Sequence, residues 1–575
     1  MEHCVPIQNS SRSCSRQAMD FLDLFQGVPI PSFQQLLLVS VVVGLSSHWL
    51  IFVRGELDKY APRIAIYHSF ALCLVFVAAA IVYPSWVEAA TASLTASAGY
   101  LTGLFSSILL YRAIFHPLRA YPGPLPARLT AFWSMAVSAK GNKWHLKVQE
   151  LHRQYGDFVR IRPREISICH PDAVQDIHGH KSTCIKGPFY DINYPNYSLQ
   201  LTRDKALRSQ RRKVWDRGFT EKALKSYEPR IIAHSLELIS HLNSWSSGEQ
   251  SVDLMFWYHF FTLDAMGDLT FGKSFNIMSE QREENTVFKQ SYTIKPLLGI
   301  LFTMPWTFVL FQHMPFVSGQ RAKWIRWCGE QLEERRKMKK DLPDIFTYLV
   351  DDDSKRAKDP LLSQRDLVCD SELAITAGSD TVAATLTNIF FLLTTHPEEL
   401  RLLQQELDPL PPIDEISHSS LKNLPVLDGI INEALRLYPP VLSGLQRMTP
   451  KEGAVIAGRF IPGDTVVATP TYVLHRDPRC FPRPDEFIPQ RWSSEPELAL
   501  RKDAFNPFST GTFACVGKQL AMLELRTVVY MMVKSFDMSL ADPVKGAIAF
   551  TQEPGHRDCF TMDTPSLPVL LRRRQ

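Results

Sequence analysis

Phe508-Ser-Thr-Gly-Thr-Phe-Ala-Cys515-Val-Gly517, running into Lys518-Gln-Leu-Ala-Met-Leu-Glu-Leu-Arg526, presents one cysteine on a loop with two glycines, directly before a helical pattern. Apolar residues recur at Leu520, Leu523, Val528, Met531 and Met532, close to helical spacing. A cysteine just ahead of a helix N-terminus faces unpaired N–H groups and the positive end of the helix dipole, and both favour the thiolate. A thiolate held in this way is a candidate axial ligand for haem iron. Gly511 and Gly517 are expected to let the backbone pass close to a flat macrocycle. Any one of the ten cysteines, taken alone, is more often a buried structural residue. The spacing Phe-x-x-Gly-x-x-x-Cys-x-Gly is far more restrictive than a lone cysteine.

Composition bounds what surrounds this loop. The chain has 575 residues, 45% hydrophobic and 21% charged, which fits a globular protein with membrane-embedded parts. A net charge of +4 without a long basic run gives no reason to expect nucleic acid as a partner. The cysteines form no CxxC pair and no zinc-like cluster, so the main body reads as cytosol-facing without a disulfide scaffold.

Residues 1–33 are polar, with no pattern of a cleaved signal peptide. Three apolar segments follow, at 34–53, 64–83 and 89–111, each about long enough to cross a bilayer as a helix. The third is weaker, rich in Ala, Ser and Thr, and has the alternative of packing on the other two. The first connection carries Arg54, Lys59 and Arg63; the second, Pro84-Ser-Trp-Val-Glu88, carries no basic residue. The positive-inside rule then puts the first connection in the cytosol. With three spans the N-terminus is lumenal, the chain is a multi-pass membrane protein, and everything after Arg112 is cytosolic. Asn9-Ser10-Ser11 would meet the glycosylation machinery, and Asn196-Tyr-Ser198 would stay bare. Residues 112–126 form a proline-rich hinge, and 127–575 the main body.

Within that body, Tyr155 to Cys169 predicts a hairpin and His170 a helix start; 184–204 reads as loop. Lys205, Arg208, Arg211, Arg212, Lys213 and Arg217 make a basic helical run, by default a solvated face. Residues 230–345 read as mainly helical, with Phe256 to Phe261 and Pro296 to Phe316 the most apolar stretches. A long helix is predicted from Asp366 to Thr395. It carries Ala374-Ile-Thr-Ala-Gly378-Ser-Asp380-Thr381, an acid and a hydroxyl side by side in a small, apolar run. A buried acid is costly and asks for a reason; proton delivery is the chemical one available. Glu433 and Arg436 share a helix face. Ala454–Phe460 and Thr465–Ala468 read as strands separated by the turn Ile461-Pro-Gly463-Asp464.

Taken together these segments resemble the cytochrome P-450 family of haem-thiolate monooxygenases, over roughly residues 120 to 570. The motifs fall in the family's order: Ala377-Gly-Ser-Asp380-Thr381, Glu433-Ala-Leu-Arg436, Phe487-Ile-Pro-Gln-Arg491-Trp492 and the cysteine loop. The flavour is that of multi-span fungal enzymes of specialised metabolism. The resemblance implies a mainly α fold with small β-sheets, haem b lying between the long helix and the loop, and Cys515 on the iron. It implies that Asp380 and Thr381 relay protons during oxygen activation, that Phe508, Gly511 and Gly517 shape the haem pocket, and that Glu433, Arg436 and Arg491 brace it. Arg447 and Arg212 fall where the family places propionate-binding arginines, and Arg208 stands where an aromatic or histidine is more usual. His475 is expected to serve structure, with a contact to a propionate as the alternative. One departure is plain: the family commonly has a basic residue two positions before the cysteine, and here it is Phe513.

The implied activity is oxidation, most simply hydroxylation, of an apolar small molecule in secondary metabolism. Electrons would come from a separate NADPH-dependent reductase docked near the basic helix and Lys518, in the endoplasmic reticulum membrane. Substrate would be enclosed by 184–204, 296–316, Ala377–Thr381, Val441–Leu445 and Phe550–Pro554. Desaturation, ring closure or coupling by the same cofactor is an alternative. A non-catalytic membrane haem sensor would not need the Asp380–Thr381 pair, and a transporter would be expected to carry a charged residue in its first span.

Overall fold

The computed structural model describes residues 30–53, 55–280, 295–338, 343–355, 363–552 and 555–574. Asn9 and Arg54 lie outside them. The chain divides into two compact units, one ending at Arg119 and the other beginning at Ala120.

In the first unit three helices, Phe33–Phe52, Asp58–Val82 and Trp86–Phe115, are long and apolar enough to cross a membrane. The Ala- and Ser-rich third helix lies tightly along the first. A Cβ on Gly103 would fall 2.2 Å from the Val41 carbonyl oxygen, and one on Gly44 would fall 2.1 Å from that of Tyr100. Small residues let two helix backbones approach in this way without a large apolar driving force. The weak hydropathy of the third segment thus reflects a helix built to pack, and it is also long enough to span.

The second unit is mainly helical with small sheets, as expected. Its centre is the helix Gln364–Thr395, started by a capping box in which the Asp366 N–H donates to Ser363 Oγ (3.1 Å) and the Ser363 N–H to Asp366 Oδ2 (3.1 Å). From Val382 to Leu393 every residue is buried. The apolar helix Leu254–Phe271 packs along it, with Tyr258 stacked on Phe390. The helix Lys518–Ser535, which follows the cysteine loop, packs against it from another side and against Glu221–Asn243.

A five-stranded sheet has the order Phe158–Arg162, Glu165–Ile168, Val466–Ala468, Arg447–Met448, Ile185–Lys186. Only Glu165–Ile168 and Val466–Ala468 run parallel. A three-stranded sheet places Pro568–Arg573 between Ser247–Asp253 and Phe536–Leu540.

Two local expectations fail for identifiable reasons. Ala454–Phe460 is not one strand: Ala457 and Gly458 both take positive φ (46° and 74°) and turn it into a hairpin of Ala454–Ile456 with Arg459–Ile461. The basic helix, Lys205–Arg217, is not wholly a solvated face. Arg211 is buried, donating from Nη2 to Asp370 Oδ2 (2.9 Å) on the long helix, and Arg208 is buried as well.

Candidate active site

The cysteine loop is held by short local contacts. The Cys515 N–H donates to the Phe508 carbonyl (2.9 Å), and the helix Lys518–Ser535 starts two residues beyond Val516. Cys515 faces a cavity of about 1070 Å³, which keeps it accessible although protein encloses it on its other sides. Burial pushes its thiol up; the Gly517 and Lys518 N–H groups and the Arg212 cation pull the other way. Phe508 and Gly517 line the same cavity. A Cβ on Gly517 would stand 3.9 Å from Cys515 Sγ. Gly511 does not line it. Its positive φ (67°) and missing side chain are needed because a Cβ there would fall 2.1 Å from the His178 carbonyl oxygen. Its expected place beside a macrocycle is therefore corrected: it serves close packing of the loop on residues 178–180.

Ala377, Gly378, Asp380 and Thr381 of the long helix also face this cavity. The neighbouring acid and hydroxyl do not bond to each other. Thr381 Oγ1 donates to the Ala377 carbonyl (2.8 Å), while Asp380 Oδ2 lies 2.9 Å from Lys295 Nζ. Both members of that ion pair are buried, at 7% and 4% exposure. Lys295 opens the helix Lys295–Leu301, whose Leu297 and Leu298 are further cavity wall. No sequence signal pointed to it, because it stands alone at the head of an apolar run.

At another part of the wall four cations meet: Lys186, Arg208, Arg212 and Arg447. Arg212 pairs with Asp216 (2.6 Å) and donates to the Ala514 carbonyl (2.6 Å). Lys186, Arg208 and Arg447 are 3%, 4% and 1% exposed, and among the described residues none has a carboxylate partner. Arg208 Nε and Arg447 Nε have no hydrogen-bond acceptor. Burial, with Arg212 and Arg447 nearby, brings Arg208 down to about 10. Buried charges without partners are expensive, so this wall suits a group bearing carboxylates. A soft sulfur donor and unbalanced cations on the wall of one cavity fit haem b with its two propionates.

Behind the cavity Glu433 accepts from Arg436 (Nε to Oε2, 2.9 Å; Nη2 to Oε1, 2.8 Å), from Arg491 Nε (2.8 Å) and from Trp492 Nε1 (2.9 Å). All three charged residues are fully buried. Arg436 also donates to the carbonyls of His475 (2.9 Å) and Pro484 (2.6 Å). These residues do not reach the cavity; they tie the helix Pro425–Leu437 to the segment 475–492. His475 is itself buried and within 3.3 Å of Asn506 Oδ1, and burial brings its ring down to about 3, as a neutral structural residue.

The remaining wall comes from 184–204, 296–316 and Val441–Leu445, as expected, but not from Phe550. Phe550 is fully buried and stacked on Phe391, with ring centroids 3.8 Å apart. The C-terminal wall is Cys559–Thr561 instead, at the tip of the hairpin Arg557–Cys559 with Thr561–Asp563. Pro554 lies outside the described residues.

The sequence model of the cytochrome P450 family matches residues 122–554. The chain belongs to the cytochrome P450 family. It is 39% identical to the cytochrome P450 monooxygenase nodW of Hypoxylon pulicicidum, over 93% of this chain and 98% of that protein. It is 37% identical to the cytochrome P450 monooxygenase FCK2 of Fusarium pseudograminearum, over 93% and 97%. It is 35% identical to the tryprostatin B 6-hydroxylase of Aspergillus fumigatus, over 93% and 95%. This P450 is therefore a monooxygenase, an oxygen-incorporating oxidoreductase of the family that holds haem b through a cysteine thiolate. The family also implies a redox partner and a small-molecule substrate.

Proposed function

We propose that this P450 is a membrane-anchored enzyme of secondary metabolism that hydroxylates an apolar small molecule, with electrons from an NADPH-dependent reductase. Cys515 is the iron ligand in this reading, Asp380 and Thr381 handle protons, and the three N-terminal helices anchor the enzyme in the endoplasmic reticulum. The observation that carries it is convergence: Cys515 and the Asp380–Thr381 turn, far apart in sequence, face one cavity. Haem bound there supplies reductive activation of dioxygen and oxidation of an unactivated C–H bond.

The chain's own residues do the rest. Cys515 offers a sulfur whose negative charge is favoured by the Gly517 and Lys518 N–H groups. Leu297, Leu298, Phe308 and Val441 make the wall apolar, which favours a substrate with few charged groups and excludes water around it. Thr381 Oγ1 presents a hydroxyl at the cavity wall, with its own proton given to Ala377. It is placed to accept a hydrogen bond and pass a proton on by rotating. Asp380 holds a carboxylate one residue away, available for proton exchange once Lys295 releases it.

Deleting the gene in its own host tests the assignment. The deletion strain should accumulate a precursor one oxygen atom lighter than the missing product. Microsomes holding this P450 and an NADPH-dependent reductase should then add that atom from labelled dioxygen. A product without the label would contradict hydroxylation.

A further inference from the structure

A second ion pair opens on the cavity, toward the N-terminal end of the long helix. Arg321, on the helix Pro315–Lys337, donates from Nη1 to Glu372 Oε1 and from Nη2 to Glu372 Oε2 (2.7 Å), a bidentate clasp between that helix and the long one. Trp324 Nε1 donates to Oε1 of the same carboxylate (3.2 Å). All three residues line the cavity that Cys515 faces, and the Arg321 and Glu372 side chains keep 23% and 16% of their surface accessible. The pair is saturated in charge but not in hydrogen bonds. The guanidinium balances the carboxylate, so an ionised ligand would find no net counter-charge to offset its loss of water. Among the described residues, however, Arg321 commits two of its N–H groups and leaves the rest of its fork free, and Glu372 Oε2 accepts one bond only. Leu373 and Ala377 make the wall between this pair and Thr381 small and apolar. From Glu372 to Thr381 the long helix rises about 13 Å.

We propose that Arg321, Glu372 and Trp324 form the polar anchor of the substrate chamber, taking a neutral group that both donates and accepts hydrogen bonds, with an amide as the simplest case. The substrate class is then an extended, largely apolar molecule whose oxidised carbon lies on the order of 10 Å from that group. The other ion pair on the wall, Lys295–Asp380, adjoins Thr381 and so sits at the opposite end of such a molecule. The proposal rests on the reading of this cavity as the chamber of a hydroxylating P450.

The test uses full-length, haem-loaded protein and two probes of one chain length, dodecanamide and 1-chlorododecane, titrated by the low- to high-spin change of the ferric Soret band. Arg321→Met with Glu372→Leu exchanges the pair for apolar groups without stranding a charge. This double variant should bind dodecanamide about tenfold more weakly, the order of a lost hydrogen bond to a charged group, and 1-chlorododecane within about twofold of the parental protein. Equal weakening for both probes would mark a packing defect and overturn the anchor, as would an unchanged affinity for the amide. Dodecanoate should bind the parental protein more weakly than the amide does. Tighter binding that the double variant loses would make the pair a carboxylate site and overturn the neutral class. A measurement on the parental protein decides the matter should the double variant fail to fold. Paramagnetic relaxation by the ferric iron should be faster for the terminal methyl protons of dodecanamide than for those beside its carbonyl. The reverse order would put the amide at Lys295–Asp380 and overturn the assignment. Failure of the underlying reading is separately visible, as a carbon monoxide spectrum without a red shift or a product without oxygen from labelled dioxygen.

Discussion

Lys295 Nζ lies 2.9 Å from Asp380 Oδ2, so the acid beside Thr381 on the cavity face of the long helix is held by a lysine from the helix Lys295–Leu301. Both groups are buried. Breaking such a pair from one side leaves an uncompensated charge in a poor solvent, at a cost of about 3–5 kcal/mol. Asp380→Asn should therefore lower stability by that order, quite apart from any effect on turnover. The double variant Lys295→Met, Asp380→Asn should recover most of the loss, and a double-mutant cycle in chemical denaturation measures it. Thr381→Ala removes a hydroxyl that, among the described residues, bonds only to the Ala377 carbonyl within its own helix, and should cost less than about 1 kcal/mol.

Glu433 receives Arg436, Arg491, Trp492 and the Ile488 N–H at once. Glu433→Gln leaves two buried guanidinium groups without a counter-charge, again a loss of about 3–5 kcal/mol. The haem-loaded yield should collapse, read as the ratio of Soret to protein absorbance after purification. Because this cluster does not reach the cavity, any surviving folded fraction should keep a normal spectrum.

Glu524 gives a dependence on pH. Its carboxyl is buried on the helix after the cysteine loop, and burial pushes it up to about 8 from 4.5. The folded state thus holds a proton that the unfolded state releases above pH 4.5. Stability should fall by about 1.4 kcal/mol per pH unit as pH rises through that window, and level off above about 8. Glu524→Gln removes the ionisation. It should unfold at a higher temperature than the parental protein at pH 8, with the difference vanishing near pH 4.5.

The basic first connection predicts an orientation for the three-span reading, with that connection in the cytosol. With three spans Asn9 would be lumenal, and protein made in a glycosylating host should shift in mobility on glycosidase treatment. Asn9→Gln should abolish the shift and Asn196→Gln leave it unchanged. A parental protein that never shifts would contradict the three-span topology.

What the sequence disclosed was what is local. The cysteine loop, the Ala377–Thr381 run and the Glu433–Arg436 pair are each set by neighbours within one turn or loop, so residue type and spacing carry them. The three N-terminal apolar helices are legible because hydropathy over a window decides them. What stayed hidden depends on distant partners. Lys295 meets Asp380 and Lys186 meets Arg447 only after the chain has folded, and neither lysine differs in sequence from a surface residue. Nothing local in the sequence shows that Phe391 takes the Phe550 ring into the core and away from the pocket wall. Gly511 answers to the backbone of residues 178–180, not to a ligand. Ala457 gives no turn signal in the sequence because alanine seldom takes positive φ.

The central claim is that Cys515 is the sulfur on the iron, and the spectrum of the reduced, carbon monoxide-bound protein tests it most directly. Folded, haem-loaded parental protein should give the strongly red-shifted Soret band of thiolate ligation, and Cys515→His should lose that shift while still binding haem. An unshifted band in the parental protein, or a shift that survives in Cys515→His, would contradict the account.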